Sequence, residues 1–142
     1  MLDVDYFKAI NDNFGHDAGD GVLEEIARRI QHVVGSRGLV CRFGGEEFVV
    51  VVFDYTHSQL FQLAEVIRQA MVKEKFWLHG NTVTVTVSLG LARGGAVNER
   101  EWPGVINRLV SAADKHLYVA KRNGRNQTSP AIAPRSMAHG VA

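Results

Sequence analysis

Apolar residues recur at helical spacing along several stretches of the chain. Val22, Leu23, Ile26, Ala27, Ile30, Val33 and Val34 fall on one face of a helix predicted from about Asp20 to Val34. Leu60, Leu63, Ala64, Ile67, Ala70 and Met71 trace another between Thr56 and Lys75. Ile106, Leu109, Val110, Ala113 and Leu117 trace a further one between Pro103 and Arg122. Pro103 suits the first turn of that helix and Gly124 its stop. A shorter helix is predicted from Tyr6 to Phe14, closed by Gly15.

The strand pattern is as clear. Thr82 to Ser88 alternates, so Val83, Val85 and Val87 face a core. Leu39–Phe43 and Glu47–Phe53 are β-rich runs separated by Gly44-Gly45-Glu46, which predicts a hairpin whose glycines supply positive φ. Val49 to Val52 does not alternate, so that strand is expected inside the sheet and buried on both faces. With a first strand over Met1 to Asp5, the order is β-α-α-β-β-α-β-β-α. The fold class is α+β, a mixed, mostly antiparallel sheet flanked by helices. Residues 129–142 hold two of the three prolines without periodicity and are expected to form a loose tail, leaving one domain over 1–128. The first strand opens almost at the first residue, so a truncated chain is expected.

Composition narrows the class. The 142 residues suit one domain, and 16 Lys+Arg against 15 Asp+Glu gives a net +1, without the basic excess of a dedicated nucleic-acid binder. The single cysteine excludes an internal disulfide framework and fits a reducing, cytoplasmic setting. The longest apolar run, Val49 to Phe53, is too short to cross a bilayer, so no membrane contact is expected, and the opening residues do not read as a signal peptide. The histidines lack metal-site spacing, so a transition-metal site is not expected. Cys41, Trp77 and Trp102 are expected to be packing residues.

Asp3 and Asp5 end an apolar strand just before a helix, where carboxylates can hold Mg²⁺ and free backbone N–H groups can meet phosphate. For Asp5, a simple N-cap is an equal reading. Glu46 and Glu47 repel one another at a hairpin tip unless a cation neutralises them. If Asp3 lies on the neighbouring strand, three carboxylates converge into an oxygen-ligand site; otherwise the tip is a solvated acidic turn. Lys121 and Arg122 near a helix C-terminus are favoured by its dipole, which does not account for Arg125 beyond the stop. A lysine and an arginine flanking that turn could clamp a triphosphate. Asn11 and Asp20 offer the donor–acceptor pair of a guanine edge, or form a polar loop with Asp20 as an N-cap.

The stretches Leu2 to Asp12, Gly15 to Asp20, Arg42 to Phe48, Val87 to Gly90 and Ala113 to Lys121 with Gly124-Arg125-Asn126 together resemble the GGDEF family of diguanylate cyclases, in its Glu-Glu variant. The resemblance spans Leu2 to Asn126 and implies a palm-like, nucleotidyl-cyclase-like fold. It implies condensation of two GTP into cyclic di-GMP with release of two pyrophosphates, in bacterial second-messenger signalling. It further implies that Asp3, Glu47 and the Val4 carbonyl hold Mg²⁺ or Mn²⁺, and that Glu46 binds metal and helps deprotonate the attacking 3′-hydroxyl. Asn11 and Asp20 would read guanine. Lys8, Lys121 and Arg125, with backbone N–H groups of Tyr6, Phe7 and Lys8, would hold the β- and γ-phosphates. Catalysis would need a second copy of the domain, and a sensor domain is expected in the full-length protein.

Two departures stand out. Gly35 and Gly38 occupy the Arg-x-x-Asp positions of the family's inhibitory product site, with Arg37 off register, so feedback inhibition there is not expected. The family's usual first helix, with its Asp-x-Leu-Thr motif, does not precede Leu2, and its loss would bare apolar sheet surface. A non-catalytic GTP-binding regulatory module is therefore the alternative. A palm-type transferase acting on nucleic acid is a further one, opposed by the near-neutral charge.

Overall fold

The computed structural model describes residues 1–95 and 101–130. Its elements run β1 (Leu2–Val4), α1 (Phe7–Phe14), α2 (His16–Val34), a 3-10 turn (Gly35–Arg37), β2 (Gly38–Arg42), β3 (Glu47–Val52), α3 (His57–Lys73), β4 (Phe76–Leu78), β5 (Asn81–Val83), β6 (Val87–Gly90), α4 (Trp102–Arg122) and β7 (Thr128–Ser129). The central sheet has the order β2-β3-β1-β6-β7, antiparallel except for the β6–β7 pair. The parallel pair is joined through α4, as a crossover connection requires.

Register sorts the two sheet faces. Leu2 pairs with Phe48 and Leu89, and Val4 with Val87. These side chains join Val22, Ile26 and Ile30 of α2 and Ile67 and Met71 of α3 in the main core. Full burial of each such side chain stabilises by about 1.5–3 kcal/mol. Asp3, Glu47, Ser88 and Gly90 belong to the opposite face, against which α4 lies. A Cβ on Gly90 would stand 2.0 Å from the Ala113 carbonyl oxygen and 2.2 Å from Leu117 N. Only glycine lets the helix approach so closely.

Several expectations change. β3 does sit inside the sheet, but Val51 is 40% exposed and its partner Leu39 59%. The cause is that α4 lies over β6 and β7 and does not reach the β2–β3 end of this face. Cys41, on the same stretch, is exposed rather than core. Trp77 is 71% exposed, whereas Trp102 meets the Phe53 ring edge-on. The alternating run from Thr82 to Ser88 is split, because β5 pairs with β4 in a separate hairpin through His79-Gly80, both at positive φ. Val85 and Val87 are buried as predicted, and Val83 is half-buried. The helix predicted from Asp20 starts at His16, since Gly15 closes α1 and opens α2 without an intervening loop. Asp20 is therefore inside a helix and caps nothing. The expected tail begins in β-structure, with Ser129 paired to Gly90; the remainder of that expectation, 131–142, lies outside the described residues.

Candidate functional site

β1 and β3 bring the first acidic groups together. Asp3 lies opposite Glu47 in the antiparallel register, and Val4 N–H donates to the Glu46 carbonyl oxygen at 3.2 Å. Asp3 is buried, and Lys121 from the last turn of α4 places its Nζ 2.6 Å from Asp3 Oδ2. Burial pushes the Asp3 carboxyl above its ordinary range, with the Asp5 charge adding to the shift, while the Lys121 hydrogen bond and charge oppose it. Glu46 is likewise pushed up, by burial first and then by the charges of Asp3 and Glu47, against Lys121. As the side chains lie, no three acidic, histidine or cysteine groups among the described residues form one ligand set. The backbone thus gathers Asp3, Glu46 and Glu47, but Asp3 is engaged by an ammonium rather than joined to both glutamates.

The donor set suits a hard divalent ion. The backbone register sets the carboxylates of Asp3 and Glu47 opposite one another with Glu46 adjoining, and the Asp3 and Glu46 carboxyls are raised by burial and neighbouring negative charge, which added positive charge would relieve.

Asp5 departs from both sequence readings. The N-cap of α1 is Tyr6, at φ 57° and without a side-chain cap. The buried Asp5 carboxylate instead accepts from Thr86 Oγ1 and Ser88 Oγ, each at 2.7 Å, and from Asn126 N–H at 3.0 Å. Because nothing caps α1, the N–H groups of Phe7 and Lys8 in its first turn remain open to an anion. Around this mouth stand the exposed Lys8, the half-buried Lys121, and the half-buried Arg125, whose guanidinium lies 4.6 Å over the Tyr6 ring.

The glycine turn works differently from expectation. Neither Gly44 nor Gly45 is at positive φ. A Cβ on Gly44 would meet only the movable end of the Glu47 side chain, Oε2 at 2.9 Å, and one on Gly45 would face open space. Arg42 holds the turn, donating from Nε at 3.0 Å and from its terminal NH2 at 2.7 Å to the Gly45 carbonyl oxygen. Sequence reasoning gave Arg42 no such role, nor Thr86 and Ser88 theirs. The only local signal for Arg42 was a cation just before a carbonyl-rich turn.

Asn11 and Asp20 come from α1 and α2. Asn11 Oδ1 is buried and has no hydrogen-bond partner among the described residues, and a Cβ on Gly19 would come within 1.9 Å of it. Asp20 is exposed and lines a cavity of about 590 Å³ between α2 and the β2–β3 hairpin, beside Leu23, Val40, Arg42 and Phe48. At the positions of the absent Arg-x-x-Asp pair, Gly35 is at φ +58° and Gly38 is extended. Arg37 folds back onto the end of α2, donating to the carbonyl oxygens of Val34 (3.1 Å) and Val33.

The family described as diguanylate cyclase, GGDEF domain, matches residues 1–127. A probable diguanylate cyclase, DgcF, of Escherichia coli O157:H7 is 45% identical over 129 residues, covering 91% of this chain and 27% of the relative. The response regulator PleD of Caulobacter vibrioides (strain NA1000 / CB15N) is 41% identical over 128 residues, covering 89% of this chain and 27% of its own. The chain thus spans only about a quarter of these relatives' length. Among solved structures, the active GGEEF domain of a diguanylate cyclase from Vibrio cholerae superposes with a TM-score of 0.73 at 36% identity, over 89% of this chain and 77% of that one. The GGDEF domain of DgcB from Caulobacter crescentus, in complex with c-di-GMP, gives 0.76 at 29% identity, over 89% and 72%. No described helix is long and apolar enough to cross a membrane.

Proposed function

The chain belongs to the GGDEF family of diguanylate cyclase domains, and from that premise we propose that it is a catalytic domain condensing two GTP into cyclic di-GMP and two pyrophosphates in the cytoplasm, coupled in a longer protein to a sensor domain. The observation carrying this reading is the pairing of Asp3 with Glu47 and of Asp3 with Lys121, beside an uncapped helix start. In this reading Asp3, Glu47 and the Val4 carbonyl, with Glu46, hold Mg²⁺ or Mn²⁺. The bound ion supplies positive charge for the oxygens of the reacting α-phosphate.

The remaining work falls to the chain itself. Lys8, Lys121, Arg125 and the N–H groups of Tyr6, Phe7 and Lys8 neutralise the β- and γ-phosphates, which leave as pyrophosphate when the bond from the α-phosphorus to the bridging oxygen breaks. Asn11 and Asp20 fix the guanine edge. Glu46 accepts the proton of the 3′-hydroxyl as its oxygen bonds to the α-phosphorus of the other GTP. Each chain supplies one half-site, so two chains must face one another across a two-fold axis.

The test is incubation with GTP and Mg²⁺, followed by chromatography of the products. Cyclic di-GMP and pyrophosphate are expected, and Glu46→Gln should lower their formation by at least about a hundredfold with melting near wild type. GTP binding without product would overturn the catalytic reading.

A further inference from the structure

Gly124, Arg125 and Asn126 follow α4 with φ of +109°, +64° and +45°. Two successive residues bearing side chains stay in the left-handed region only where surrounding contacts over-determine them. Here the contacts come from the last turns of α4 and from two distant parts of the chain. Arg125 N–H donates to the Ala120 carbonyl oxygen at 3.1 Å, and Asn126 N–H to Asp5 Oδ2 at 3.0 Å. Asn126 Oδ1 accepts from an Arg68 terminal nitrogen at 2.8 Å. Arg68, on α3, is itself gripped by Glu65 through Nε (3.0 Å) and its other terminal nitrogen (2.9 Å), and Glu65 Oε1 also accepts from Thr128 Oγ1 at 2.7 Å.

Among the described residues Glu65 alone answers the Arg68 charge, so the donor sent to Asn126 adds direction rather than neutralisation. The planar guanidinium fork can serve both partners at once; an ammonium has no such fixed geometry. The side-chain hydrogen bonds of Arg68 go to Glu65 and Asn126, not to the residues assigned to nucleotide binding. Its contact is with the residue next to Arg125, and Asp5 holds the same residue from the opposite end of the chain.

We infer that Arg68 and Asp5 are positioning residues that lock the turn after α4 so that Arg125 is aimed at the terminal phosphates of the nucleotide. This rests on the reading of Arg125 as a phosphate ligand. A loosened turn would leave guanine and α-phosphate contacts untouched and weaken only the hold on the outer phosphates.

The test measures binding, by calorimetry with Mg²⁺, of a GTP analogue with a methylene bridge between the α- and β-phosphorus, which cannot release pyrophosphate, and of GMP. Arg68→Gln should weaken analogue binding about tenfold and leave GMP unchanged. In an Arg125→Ala background the same change should have no further effect. Asn126→Gly accepts the left-handed φ but lacks the acceptor for Arg68, so it should reproduce the selective loss if Arg68→Gln fails to fold. Equal losses for analogue and GMP, or additive losses in the double variant, would overturn the inference while sparing the function proposed above. If Arg125→Ala alone leaves the analogue-to-GMP ratio unchanged, the phosphate role of Arg125 fails, and the inference with it.

Discussion

The Asp3 carboxylate, 5% exposed, has exchanged most of its water for a lysine ammonium at 2.6 Å. Removing one member of such a pair strands the other, and the cost is moderated here because Lys121 retains 32% of its side-chain exposure. Lys121→Met should therefore destabilise the protein in chelator by about 1–2 kcal/mol, read as a lower melting temperature. Millimolar Mg²⁺ should shrink the difference by supplying Asp3 with another cation. Burial raises the Asp3 carboxyl and Lys121 opposes the rise, so without Lys121 the folded state loses more stability as rising pH ionises Asp3. The variant's deficit should accordingly be larger at pH 7 than at pH 5. A deficit indifferent to both Mg²⁺ and pH would mean that Lys121 only packs. At this scale the types and spacing of the acidic and basic residues were readable in advance, but their partners were not. Asp5 stands before a helix as an N-cap would, yet its acceptors are filled by Thr86, Ser88 and Asn126. Those donors approach it only when β6 and the turn after α4 arrive.

Helices here are joined to one another and to the sheet by specific polar and steric fits. Arg29 of α2 donates to the carbonyl oxygens of Ala70 (3.1 Å) and Glu74 (2.8 Å) at the end of α3 and lies 4.0 Å over the Phe76 ring. Glu25 receives both Arg28 and Arg29, and its carboxyl is pulled from 4.5 to about 2, by the Arg28 hydrogen bond first and then by Arg29. A depressed folded value means this contribution is complete above the unfolded value and is lost as pH falls toward the folded one. The urea midpoint should thus drop between pH 4.5 and about 2, and Glu25→Gln should flatten part of that fall. An unchanged acid slope in the variant would count against the pair. Where α4 meets β6, Gly90→Ala would drive a methyl into the helix backbone. It should cost about 3 kcal/mol in urea unfolding and also weaken GTP binding, since the same helix carries Lys121. Helix existence followed directly from apolar spacing, whereas the split of the Thr82–Ser88 run did not, because period-two alternation is the same whichever strand serves as partner.

At the scale of the whole molecule, one sheet face is filled by α2 and α3 while the other is shared between α4, the acidic mouth and the exposed stretch of Leu39 and Val51. The proposed reaction joins two half-sites, which would make activity depend on encounter. Well below the dimer dissociation constant, the rate of cyclic di-GMP formation should rise with about the square of protein concentration. Strict proportionality there would argue for a preformed pair. The family, the helices, the inner place of β3 and the residue types of the site were set by the sequence itself, because apolar periodicity and motif spacing are local and survive in one dimension. Tertiary structure alone decided that Asp3 faces Glu47 and Lys121, that Asp5 anchors a turn 121 residues away, and that Val51 meets solvent. Each of these depends on which distant element comes to cover or pair with a residue, and a strand's own pattern carries no record of its neighbours.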